Sequence, residues 1–214
     1  MNQKIIHQIG RSQRISIINL LKRSEGMAVA RMSEKLGMSY MGVKQHCLSL
    51  HRQGYLTTKR APHSAGRIGR PELFYMLTPK SMDLFPQVDN PFTIAILDAT
   101  NSLYGASAGE KVLFKVYQAE LSRHEAKIKG ETPTERGKSL AKLRDADGYL
   151  SEWVTEPGGV KKIVEHHSPI MDLLEAYPNI AKMEEEMFRK LLRTEVKRTE
   201  KKEAGQFMAE FTLG

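Results

Sequence analysis

Apolar residues recur at helical spacing from the start of the chain: Ile5, Ile6 and Ile9, then Ile15, Ile17, Ile18, Leu20 and Leu21, with Arg11, Arg14, Lys22 and Arg23 mostly between them. This pattern predicts one amphipathic helix that ends near Gly26. A second, short helix is predicted over Val29–Leu36, where Ala30, Met32 and Leu36 supply small and apolar faces and Gly37 supplies the stop. Ser39 is a good N-cap for a third helix over residues 40–53. Within that helix Val43, Cys47 and Leu50 fall at i, i+4 and i+7 and predict one buried face. Tyr40, Met41, Lys44 and Gln45 lie on the opposite face, with His51 and Arg52 further along. Cys47 is read as a small core hydrophobe.

After Gly54 the period changes. Tyr55–Arg60 is rich in β-formers, as is Leu73–Thr78, and between them runs a segment dense in glycine and proline, Pro62 to Pro71. The two stretches are expected to pair antiparallel around a basic loop, residues 61–71. Two helices joined by a short glycine-containing turn, followed by such a hairpin, are the order of a winged helix-turn-helix.

Past residue 85 the pattern predicts a linker at Pro86–Pro91 and helices at Phe92–Leu103, Lys111–Lys129 and Thr134–Asp147. The second of these carries Val112, Leu113, Val116 and Leu121 on an apolar stripe, read as internal core or dimer seam. Tyr149–Thr155 and Val160–Glu165 flank Glu156-Pro157-Gly158-Gly159 and predict a β-hairpin. Helices at Ile170–Tyr177 and Asn179–Leu192 and strands at Glu195–Thr199 and Gln206–Leu213 complete the prediction. The fold class is therefore α+β, in three segments. Residues 1–85 form a winged helix-turn-helix and 86–148 a helical linker and dimerisation region. Residues 149–214 form an α+β domain with a small antiparallel sheet, a candidate for effector sensing.

Charge sharpens this division. The chain of 214 residues has a formal net charge of +8. Residues 1–80 hold 14 basic and 3 acidic side chains, whereas residues 81–214 hold 19 and 22. Such asymmetry points to a polyanionic partner for the first segment. A helix of this size fits the major groove of double-stranded DNA, and cations on a wing reach phosphates or the minor groove. The predicted DNA contacts are Ser39 and Tyr40 on phosphate, Met41, Lys44 and Gln45 on the groove-facing side of the helix, and His63, Arg67 and Arg70 on the wing. Gln45 can pair bidentately with adenine.

Other chemistries find little purchase. One cysteine allows no intramolecular disulfide and no CxxC, so neither a structural metal nor a redox motif is expected. No phosphate-binding loop, nucleophile elbow, zinc-protease or dinucleotide motif is present, and no enzyme is predicted. No secretory signal or membrane span is read at the sequence level, which places the chain in the cytoplasm. His166 and His167 are the only candidate ligands for a metal, but adjacent residues on a strand point apart.

Ser39 through Val43, Leu50 and Gly54-Tyr55-Leu56, then Gly69-Arg70-Pro71, Tyr75-Met76-Leu77-Thr78 and Leu84-Phe85-Pro86 carry a resemblance. It continues through Asp147-Gly148-Tyr149-Leu150 and Glu165-His166-His167-Ser168-Pro169 to Gly205. In these stretches the chain resembles winged-helix regulators of the ArsR/DeoR-like group related to the iron–sulfur assembly repressor SufR. The resemblance implies a homodimeric repressor on a palindromic operator. It also implies three cluster-binding cysteines, and the corresponding positions here are Ser168, Ala181 and Ala209. None supplies a thiolate, so no iron–sulfur cluster and no other cofactor is expected. The effector is not specified by the sequence. Two alternatives stay open: a winged-helix module that docks an acidic protein, and a regulator responsive to a metal or small molecule.

Overall fold

The computed structural model describes residues 13–60, 73–85, 90–203 and 206–214. The chain divides into two compact units, Met1–Phe85 with Lys202–Gln206, and Pro86–Lys201 with Phe207–Gly214. Both are mixed α and β, each built around one small antiparallel sheet. No helix among the described residues is long and apolar enough to cross a membrane.

In the first unit, helix α1 (Gln13–Lys22) is followed by a two-residue strand β1 (Met27–Ala28), α2 (Val29–Leu36) and α3 (Tyr40–Arg52). Strands β2 (Leu56–Arg60) and β3 (Leu73–Leu77) pair antiparallel, from Leu56 opposite Leu77 to Arg60 opposite Leu73. The strand β1 has no counterpart in the sequence reading. Two residues carry too little period to register, yet Met27 pairs with Tyr75 and completes a sheet of order β1-β3-β2. The core is formed by Ile17, Ile18 and Leu21 of α1, Met32 of α2, and Val43, Cys47 and Leu50 of α3, all buried. Leu56, Tyr75 and Leu77 close it from the sheet.

Lys22 is buried in this unit, its ammonium donating to the sulfur of Met82 at 3.0 Å and lying 5.1 Å from the Phe85 ring centroid. Burial pulls its pKa down to about 8. Below that value the amine is charged in both folded and unfolded chains, so it contributes no pH dependence. Between about 8 and 10.5 the unfolded chain holds a proton that the folded unit has released, and stability rises with pH. Urea melts of the parent and of Lys22→Met are therefore expected to differ in slope over this window. The parent should gain at most about 3 kcal/mol relative to the variant.

The second unit runs α4 (Asn90–Tyr104), α5 (Ala108–Glu125), α6 (Pro133–Arg144), one π-helical turn (Asp145–Tyr149), β4 (Ser151–Thr155), β5 (Lys161–Glu165), α7 (Met171–Ala176), α8 (Ile180–Leu192), β6 (Val196–Glu203) and β7 (Gln206–Leu213). Its sheet has the order β4-β5-β7-β6. Gly158 and Gly159 take φ of +96° and +85° in the β4–β5 turn, which side-chain-bearing residues rarely adopt. Helices and sheet belong to one unit, apart from the segment Lys202–Gln206, because α5 and α6 pack on α8, and α6 also packs on β4 and β5. At the α6–β4 contact Gly137 faces the Trp153 ring so closely that a Cβ would collide with it. Phe188 and Phe211 stack at 3.8 Å in the main core, among Leu140, Ile163, Leu191 and Phe207.

Pro91 lies inside α4 rather than in a linker; proline fits the first turn of a helix, where its missing N–H is not needed. The third helix of the second segment stops at Arg144 and gives way to the π turn, in which Gly148 adopts φ of +95°. The stripe Val112, Leu113, Val116 and Leu121 is split. Leu113 is buried and Leu121 packs on the core, whereas Val112 and Val116 are exposed. At 100° per residue, positions 113, 117 and 121 share one face, and 112 and 116 share another.

Candidate nucleic-acid interface

Helix α3 is set by its two ends. Gly37 closes α2 in the left-handed conformation, φ 62° and ψ 27°, and its N–H and that of Met38 satisfy carbonyls of the last turn. Ser39 then caps α3: its backbone is extended and its Oγ accepts from the Gly42 N–H at 3.1 Å. A three-residue connection, 37–39, thus redirects the chain and exposes the N-terminus of α3. The first turn there holds no acidic side chain. A helix N-terminus carries free N–H groups and partial positive charge, which favours an anion.

The apolar face of α3 holds the helix against α1, α2 and β2. His46 adds a polar tie to α1, with Nε2 3.0 Å from Gln13 Oε1 and Nδ1 accepting from Arg14 Nε at 3.4 Å. Burial and the Arg14 charge both lower the His46 pKa, which keeps the ring neutral and able to accept at Nδ1. At the other end Lys80 Nζ donates to the Gln53 carbonyl at 3.0 Å and lies over Tyr55, while Thr78 Oγ1 donates to the Gly54 carbonyl. The Cys47 thiol is pushed up to about 12 by burial, which removes it as a nucleophile.

What remains outward is the predicted set. Ser39, Tyr40, Met41, Lys44 and Gln45 are all exposed, gathered on the first two turns of α3. Leu48 joins them, 44% exposed, four residues after Lys44 and seven after Met41. It was missed in the sequence because leucine is ordinarily assigned to a core, although its spacing from Met41 carried the signal. Arg52 is exposed one turn further, and Lys59 and Arg60 are exposed on β2. No acidic residue occurs between Lys35 and Arg70. The three wing residues His63, Arg67 and Arg70 lie outside the described residues, as does the loop 61–71.

The second unit carries a different surface. On α4 the exposed residues Phe92, Ile96, Ala99 and Leu103 follow i, i+4, i+7 and i+11, with Tyr104 beside them. On α5 Val112, Val116 and Ala119 are exposed at i, i+4 and i+7. Leu103 and Tyr104 are 74% and 79% exposed, so these stripes are not part of the unit's own core.

The resemblance to cluster-binding regulators meets its physical limit in the same unit. Ser168 and Ala209 are buried, and Ala209 stands opposite Glu165 in the β5–β7 ladder. Ala181 packs against the apolar cluster of Leu97, Leu113 and Ile180, and beside Ala209 lies a buried cluster of charge. Arg144 donates to both oxygens of Glu165, at 2.6 and 3.0 Å, and to Glu184 at 3.0 Å. Glu184 also meets Arg198 at 3.3 Å, and the Arg144 guanidinium lies 3.3 Å from the Tyr149 ring centroid. Burial raises the Glu165 carboxyl to about 7 while Arg144 pulls it down. Cys47, the one thiol of the chain, lies in the first unit. These residues do not fit an iron–sulfur cluster.

No family model matches this chain, and no curated protein does.

His166 and His167 sit just past the end of β5, both buried, and do not project from a strand as the sequence suggested. His166 Nε2 is 2.8 Å from Glu152 Oε1. Among the described residues no group of three or more histidine, cysteine or carboxylate side chains is placed to hold a metal ion.

Proposed function

We propose that this chain is a homodimeric, sequence-specific DNA-binding regulator whose first unit is a winged helix-turn-helix and whose α3 enters the major groove. The observation that carries the reading is the outward face of α3: exposed, free of acid, capped by Ser39, and continuous in sequence with a basic strand and loop. Phosphate contacts position such a helix and base-edge contacts give it specificity. In this reading Ser39 and the first N–H groups of α3 hold a phosphate. Lys44 and Gln45 reach base edges, and Met41 and Leu48 offer apolar contact to thymine methyls. Lys59 leads into the wing, where His63, Arg67 and Arg70 contact phosphate or the minor groove. The resemblance noted in the sequence favours repression.

The exposed stripes on α4 and α5 supply the dimer seam. Contiguous apolar surface at this spacing marks an interaction site, and a two-fold dimer matches a palindromic operator.

Salt titration of binding gives a first test. Each cation that neutralises a phosphate releases counterions, so log K should fall linearly with log salt. Lys59→Ala is expected to weaken binding similarly on all sequences and to reduce that slope by about 1. An unchanged slope would remove Lys59 from the interface.

A further inference from the structure

Helices α5 and α8 do not close on one another along their whole length. Between them is a groove of about 310 Å³ whose apolar wall is Phe114, Tyr117 and Leu121 from α5 and Met183 and Met187 from α8. Tyr117 and Leu121 pack on the main core and Met183 on the cluster around Leu97 and Leu113, which fixes that wall, while Phe114 is exposed at its edge. Methionine is unbranched and adapts to irregular apolar shapes. The groove is open to solvent along one side and has room for a short alkyl chain.

Charge at the rim selects the head group. Lys182 and Lys190 border the groove, and a second hollow continuing past Phe114 and Met183 adds Lys111 and Lys115. The two carboxylates of the rim are engaged: Glu186 by Arg189 and Lys190, and Glu110 by Asn179 at 2.7 Å. Lys115 donates to Gln118. Lys111 and Lys182 have no ion-pair partner among the described residues. The rim therefore offers positive charge beside an apolar groove, which suits one anionic head on one short apolar tail.

We propose that the α5–α8 groove is a binding site for a medium-chain carboxylic acid, its tail against Met183, Met187 and Phe114 and its carboxylate between Lys111 and Lys182. The site belongs to the second unit alone and does not depend on what α3 contacts.

The test uses the full chain without DNA and octanoate as the probe, kept below its micellar range. Calorimetry should show saturable binding, at least ten-fold tighter for octanoate than for octan-1-ol, and weaker still for octylammonium. With methionine methyls labelled by carbon-13, the shifts should centre on Met183 and Met187, assigned by single exchange to leucine. Lys111→Glu with Lys182→Glu changes two exposed positions and is expected to weaken octanoate at least ten-fold without altering the melting temperature. Absence of binding at several millimolar would overturn the proposal. So would equal affinity for octanoate and octanol, or shifts centred on other methionines. Since no DNA is present, loss of DNA binding by the same preparation would bear on the first unit only.

Discussion

Replacing Arg144 by methionine is expected to lower the stability of the second unit by about 3–5 kcal/mol, the cost of leaving a buried charge uncompensated. Arg144 is the shared donor of Glu165 and Glu184, and all three side chains are almost wholly buried. Methionine fills much of the volume but supplies none of the three hydrogen bonds. Arg198 pairs with Glu184 and Glu200 and acts on Glu165 only through space, so Glu165 loses the one guanidinium bonded to it. The direction of the pH effect follows. Burial already raises the Glu165 pKa, and without Arg144 it rises further, so the carboxyl is neutral in the folded variant at mild acidity. A group whose folded pKa is raised stabilises below its unfolded value and loses that contribution as pH rises through the folded one. The defect of Arg144→Met should therefore be largest above neutrality and shrink toward pH 5. The double variant Arg144→Met with Glu165→Met removes charge with its partner and should recover part of the loss. Urea melts across pH check all three; a uniform loss below about 1 kcal/mol would show that the network is not energetically coupled.

A second large effect is expected at the α4 seam. Ile96→Glu with Leu103→Glu places two carboxylates on the exposed stripe, where the free protomer tolerates them because both positions face solvent. Between two copies the same charges would be desolvated and, across a two-fold axis, set against their own kind. Light scattering should show the parent as a dimer and the variant as a monomer with unchanged helical content. Affinity for a palindromic operator should fall by about 10²–10⁴-fold, since the second half-site is no longer held at high effective concentration. A variant that remains dimeric would move the seam elsewhere.

The first unit was largely legible because its signals are local. Ser39 as a cap, Gly37 as a stop and the 43-47-50 spacing each follow from chemistry within one turn of helix, and the structure places them as read. The exposed residues of α3 followed by subtraction. Leu48 escaped because hydrophobicity alone does not report burial, and β1 escaped because two residues gain their structure only from pairing with Tyr75 and Phe74. In the second unit the sequence located helices and strands but not their faces. Whether Val112 or Leu113 turns inward depends on where α5 meets α8, a non-local fact. The Arg144, Glu165 and Glu184 cluster was equally invisible, since its members stand 21 and 40 residues from Arg144 along the chain. The groove between α5 and α8 has the same origin: its two walls are more than sixty positions apart in the sequence.

The most direct test of the central claim is fluorescence anisotropy of the full chain against genomic fragments, its own upstream region included, beside shuffled duplexes of equal length. Tight binding to a subset of sequences is expected, about 10³-fold or more above the shuffled controls. Lys44→Ala should cost about 1–3 kcal/mol on the preferred site and relax that preference. Equal affinity for all duplexes, unaltered by Lys44→Ala, would contradict that claim.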